Sequence, residues 1–135
     1  MTGLVLVAHA DLAQEILSAA EMIVGPIEKA VAVSIDKDDP ADLILDRIRE
    51  AVQSVGGEGT IIMTDMFGGT PANVSLSFLQ SDRIEVLTGM NLPMIIQFAF
   101  ERSRSGISEL ASRLCSSGRE SISVAGDFLK GQGSR

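Results

Sequence analysis

An α/β fold with an open, mostly parallel sheet and helices on both faces is what this sequence predicts, on three observations. Short apolar, β-branched runs alternate with segments of helical periodicity. Glycine, proline or a capping residue stands at nearly every change of period. The apolar mass is almost entirely aliphatic, with five Phe and neither Trp nor Tyr among 135 residues, which suits strands buried between two helical layers.

The first run, Leu4 to Ala8, is continuously apolar, as a strand covered on both faces requires, and it ends at His9. From Asp11 the period becomes helical, with Leu12, Ile16, Ala19, Ala20 and Ile23 on one face and Gly25-Pro26 as the stop. Ala30 to Ile35 reads as the second strand. Asp39-Pro40 offers an N-cap and a first-turn proline to a second helix, whose stripe is Ile44, Ile48, Ala51, Val52 and Val55.

Gly56-Gly57 closes that helix, and Thr60 to Thr64 forms a third strand leading into Asp65 and the pair Gly68-Gly69. Thr70-Pro71 repeats the cap-and-proline signal for a helix through Val74, Leu76, Phe78 and Leu79. Ile84 to Thr88 is the fourth strand. Asn91 caps a helix with Pro93 in its first turn, running to Phe100, and a further helix spans Ser108 to Ser117. Arg119 to Ala125, with Ile122 and Val124 on one face, is expected as a short C-terminal strand that a dimer could exchange. One domain over residues 1–128, followed by a frayed tail over 129–135, accounts for the length.

The formal net charge is -7 and the eleven Lys and Arg are scattered, so no nucleic-acid footprint is expected. The acidic surface can serve solubility or steer a basic partner. A lone cysteine excludes an intramolecular disulfide and fits a reducing, cytoplasmic compartment. The N-terminal apolar run is far shorter than the ~20 residues of a membrane span. No direct membrane insertion is expected.

A parallel sheet gathers its ligands at the carboxyl ends of the strands, near the switch in strand order. Three of the four strands end in conspicuous chemistry: His9 after the first, Asp65 to Pro71 after the third, and Gly89 to Met94 after the fourth. A neutral imidazole can attack phosphorus through one nitrogen while the other holds its proton, and a carboxylate fixes that tautomer. Asp65 is the candidate for this role, although a turn or cap residue would look the same. Gly68 and Gly69 can form a tight turn, an anion-binding loop with Thr70, or both.

No Gly-Lys-Ser/Thr follows those glycines, so they are not a nucleotide P-loop, and no cluster with metal-ligand spacing is visible. No cofactor is implied. Met66, Met90 and Met94 can form an adaptable docking rim or simply fill the core.

In its apolar strand ending at His9, in Leu12-Ala13, in Glu21-Met22-Ile23 with Gly25, in Thr64-Asp65-Met66-Phe67-Gly68-Gly69-Thr70-Pro71-Ala72-Asn73 and in Gly89-Met90-Asn91-Leu92-Pro93-Met94, the sequence resembles the IIA component of the mannose family of the bacterial phosphoenolpyruvate-dependent sugar phosphotransferase system. The matching segments follow the family's order almost to Ala125, and the Asp65 to Asn73 stretch is the specific one. The resemblance implies that His9 takes a phosphoryl group from the phosphocarrier HPr and passes it to a IIB protein. It implies that Asp65 holds the other imidazole nitrogen and that Thr70 and the glycine loop contact the phosphoryl group. Met66, Phe67, Met90, Asn91 and Met94 are the residues expected to dock partners.

It further implies a homodimer with an exchanged C-terminal strand. The family usually carries Gly after the histidine, where this sequence has Ala10, and the backbone beside His9 is expected to shift slightly. No IIB domain follows in the sequence, so a separate acceptor, or none, is expected. Two other classes stay open: a small hydrolase using His9 and Asp65 as general base, which needs a metal or nucleophile the sequence does not display, and a regulatory module switched by phosphorylation of His9.

Overall fold

A computed structural model describes residues 1–133. Four strands, β1 (Gly3–His9), β2 (Ala30–Ile35), β3 (Thr60–Thr64) and β4 (Ile84–Thr88), form one sheet in the order β2-β1-β3-β4. All three pairings are parallel. Parallel neighbours need crossovers, and these are supplied by α1 (Leu12–Val24), α2 (Ala41–Val55) and α3 (Thr70–Leu76). Then come α4 (Leu92–Glu101), α5 (Ile107–Glu120) and α6 (Ala125–Gly133).

Strand alternation divides the core in two. Leu4, Leu6 and Ala8 of β1, with Ile61 and Met63 of β3, face α1, α4 and α5, where Phe98, Leu110 and Leu114 are fully buried. Val5, Val7 and Ile62 face the other layer, where Ile44, Ile48, Ala51 and Val55 of α2 close over them and Val74 of α3 packs alongside. The same alternation puts His9, two residues beyond Val7, on the α2 and α3 side of the sheet's upper rim. From β1 the chain moves outward to β2, and from β3 outward to β4. The switch in strand order therefore falls between the carboxyl ends of β1 and β3, at His9 and Asp65.

Several expected details differ. In α1 the sheet takes Ala13, Leu17 and Ala20, whereas Leu12 and Ile23 are exposed. The helix carries two overlapping apolar stripes, and the one with two small alanines permits the closer approach. The turn before α2 is closed differently from the expected Asp39 cap: Pro40 occupies the cap position, and the Asp39 carboxylate accepts from the Asp36 N–H at 2.8 Å and from Arg47 at 2.9 Å.

Gly69, not Thr70, is the cap of α3, and that helix ends at Leu76. The N–H groups of Ser77, Phe78 and Leu79 then reach back only three residues, to Val74, Ser75 and Leu76, so the last turn tightens instead of propagating.

The expected strand from Arg119 to Ala125 is not present in the described chain. Arg119 and Glu120 complete α5, the Ser121 N–H and hydroxyl both bond the Ser117 carbonyl, and α6 begins at Ala125. Arg119 and Ile122 line one cavity with Val86, Leu87 and Thr88 of the edge strand β4, but the turn that closes α5 keeps the segment out of the ladder. Ile122 and Val124 are consequently exposed. Of the tail expected over 129–135, the part as far as Gly133 lies within α6 (Ala125–Gly133), and Ser134 and Arg135 lie outside the described residues. Among the described residues no helix is long and apolar enough to cross a membrane.

Candidate functional site

The site is assembled by two loops that leave the sheet at its switch point. The Oδ2 of Asp65 lies 2.7 Å from Nδ1 of His9 and also accepts the His9 main-chain N–H at 3.0 Å. Its Oδ1 accepts the Met66 N–H at 3.0 Å. One carboxylate thus joins the ends of β1 and β3 and fixes the imidazole by the same atom. Burial alone would raise the Asp65 pKa, but the His9 amide, the imidazole hydrogen bond and the imidazole charge outweigh it and hold the carboxyl below its ordinary value. Asp65 is an anion at neutral pH. With Nδ1–H donated to it, the lone pair of His9 is on Nε2.

The two glycines that follow do separate jobs. Gly68 turns the chain at φ 88°, a left-handed conformation that a side chain resists, with open space where a Cβ would stand. Gly69 has an ordinary φ of -88°. A Cβ there would stand 3.2 Å from Cε1 and 3.7 Å from Nε2 of His9, so the missing side chain is what lets the loop lie along the Cε1–Nε2 edge of the ring. Beside His9, Ala10 itself adopts the left-handed conformation at φ 52°, with its N–H donated to the Ile35 carbonyl at 2.8 Å.

Beside the ring a cavity of about 540 Å³ opens between the β2–α2 turn and the start of α3, lined by His9, Ala10, Ile35, Asp36, Lys37 and Thr70 among others. Thr70 thereby shares this cavity with the histidine. A groove of similar size, about 560 Å³, runs between β2 and α2 past Val31, Glu50 and Ser54, but its Arg47 is already paired with Asp39. Only the former contains a histidine.

The docking residues divide. Met66 and Phe67 are 54% and 74% exposed beside Asp65 and Gly68, an apolar shoulder next to the histidine. Met90 and Met94, at 9% and 4%, are packed in the core with α4 and α5. The amide of Asn91, which is partly buried, is used internally. Its oxygen caps α4 at the Met94 N–H (3.1 Å), and its nitrogen donates to the Gly118 carbonyl (2.9 Å), tying α4 to α5. The sequence reading passed over Lys37, although the rule of strand carboxyl ends, applied to β2 as to the other three strands, points to Ile35-Asp36-Lys37.

Comparison with known proteins bears on this geometry. The family model described as PTS system fructose IIA component matches residues 3–115. The sorbose-specific EIIA component of the phosphotransferase system of Lacticaseibacillus casei is 31% identical over 112 residues, covering 82% of this chain and 81% of its own. Among solved structures, the EIIA component from Streptococcus agalactiae superposes with a TM-score of 0.86 at 26% identity, covering 94% of this chain and 99% of that one. The mannose/sorbose-specific IIA subunit from Enterococcus faecalis gives 0.82 at 29%, covering 91% and 93%. With its whole sheet and both site loops inside the matched region, the chain belongs to the mannose-type IIA family, the phosphotransfer components of the sugar phosphotransferase system.

Proposed function

We propose that this chain is a phosphohistidine carrier: His9 accepts a phosphoryl group from an HPr-like phosphocarrier on Nε2 and delivers it to a IIB protein, both exchanges taking place in the cytoplasm. The observation that carries the reading is the 2.7 Å contact between His9 Nδ1 and Asp65 Oδ2. It holds one ring nitrogen as the proton donor and leaves the other as the nucleophile. As the Nε2–phosphorus bond forms, the bond to phosphorus in the donor breaks. The ring becomes positively charged, and the Asp65 carboxylate offsets that charge through the hydrogen bond already made. Delivery reverses the process, so no cofactor enters.

Gly68, Gly69 and Thr70 are assigned to the phosphoryl oxygens, with the Thr70 hydroxyl and the loop N–H groups as donors. Support comes from the approach of Gly69 to the ring edge and from Thr70 lining the same cavity as His9. Met66 and Phe67 would give partners an apolar footing beside the histidine. The chain is further proposed to be a homodimer, since Ile122 and Val124 are exposed and β4 is a sheet edge that a second copy could pair. Light scattering that finds a monomer at micromolar concentration contradicts the dimer.

The test of the carrier reading is incubation with phosphoenolpyruvate, enzyme I and HPr. An acid-labile, base-stable adduct on His9 that chases to a IIB protein supports it. Failure of the chain to take label from phospho-HPr overturns it.

A further inference from the structure

We propose that Lys37 is a phosphoryl-binding residue, supplying the positive charge that the phosphorylated form of His9 needs. The inference rests on the carrier reading above and deepens it. Of the described residues that line the cavity beside His9, Lys37 alone carries a permanent positive charge. It is exposed at the first turn after β2, the strand whose Ile35 pairs in register with His9. Among the described residues its ammonium has no hydrogen bond or ion-pair partner.

Of the other charges around this cavity, Asp36 is exposed and Asp39 is already committed. Asp39 is held by the Asp36 N–H, which is the main influence keeping its carboxyl below the ordinary range, and by Arg47, against the opposing effect of burial. Arg47 is spent on Asp39 and on the Ser34 carbonyl, 3.2 Å away. Asp65 is spent on His9. A phosphoryl group arriving on Nε2 therefore brings close to two negative charges into a cavity lined by Asp36 and Asp39, on a chain of net charge -7.

The turn that carries Lys37 is braced at both ends by the bonds of Asp39, and its side chain is long, flexible and free to swing over the opening. In the unphosphorylated protein the ammonium remains in water. In the phosphorylated protein it meets the phosphoryl oxygens, a charge-assisted contact that exists in that state alone. Such a contact shifts the equilibrium between phospho-HPr and the phosphorylated chain, and it does so whatever Lys37 contributes to docking, because docking is common to both directions of transfer.

The experiment measures that equilibrium constant for the full chain and for Lys37→Met and Lys37→Arg, with phosphoenolpyruvate, enzyme I and HPr, alongside thermal melting to verify folding. Lys37→Met is expected to shift the equilibrium about tenfold toward phospho-HPr, to move the ³¹P resonance of the phosphohistidine, and to leave the melting temperature unchanged. Lys37→Arg is expected to retain most of the wild-type value. An unchanged constant and resonance in Lys37→Met overturn the inference, as does an equal loss in both variants, which would exclude charge as the cause. If the wild-type chain takes no label at all, the carrier reading itself has failed.

Discussion

The Oδ2 of Asp65 accepts two hydrogen bonds from one residue, from the main-chain N–H of His9 at 3.0 Å and from its Nδ1 at 2.7 Å. The first ties the carboxylate to the backbone of β1, so the second cannot drift without opening the join between β1 and β3. This double hold fixes the orientation of an imidazole that on most protein surfaces would rotate freely, the preorganisation that the proposed role of His9 as nucleophile requires. Asp65→Asn, which keeps the shape and removes the charge, is expected to fold and to slow phosphoryl transfer by about 10²-fold. Stopped-flow or quenched transfer from phospho-HPr measures it. A wild-type rate would remove Asp65 from the site.

The same carboxylate makes stability depend on pH. Its folded pKa lies below the unfolded value of about 3.9. The stabilisation is therefore fully present above that value and is lost as pH falls through the folded pKa. Urea midpoints measured between about pH 5 and pH 2 should fall more steeply for the wild type than for Asp65→Asn. Parallel curves would show that the pairing contributes nothing to folding.

Adjacent glycines are expected to fail in different ways. Gly68→Ala places a side chain at φ 88° and should destabilise the fold by about 1 kcal/mol. Gly69→Ala keeps a permitted φ but presses its Cβ against the His9 ring. It should leave stability within about 0.5 kcal/mol while slowing transfer roughly tenfold through misplacement of Nε2. Melting and transfer measured on both variants separate the two roles, and identical behaviour would refute the division.

Ala10 stands at φ 52° without being glycine. Ala10→Gly should relieve the left-handed strain and stabilise the fold by about 0.5–1 kcal/mol, or roughly 2–4 °C in Tm for a chain of this size. A fall in Tm would mean that the loss of unfolded-state restriction outweighs the strain.

Legibility in the sequence followed the range over which each feature is determined. The four strands were readable because each is a short apolar run, and β2, β3 and β4 begin and end where the residues change character. His9 and Asp65 could be joined because the rule for parallel sheets converts a strand's end into a place. The face of α1 was not readable, since both of its stripes are apolar and only packing chose Ala13, Leu17 and Ala20. Met90 and Met94 look on paper like Met66, and their burial under α5 is a tertiary fact. The segment from Ser121 to Val124 has strand character, but the turn that closes α5 leaves it unpaired near the free edge of β4 in its own chain. Lys37 escaped notice because a lone lysine in an acidic turn carries no motif; its meaning comes from the cavity it shares with His9.

The central claim is that His9 carries the phosphoryl group on Nε2, and the most direct measurement is ³¹P and ¹⁵N NMR of the chain phosphorylated by phosphoenolpyruvate, enzyme I and HPr. The account predicts a single phosphohistidine whose phosphorus couples to Nε2, with Nδ1 still protonated toward Asp65, and no adduct in His9→Ala. Coupling to Nδ1, or equal labelling of the His9→Ala chain, would contradict it.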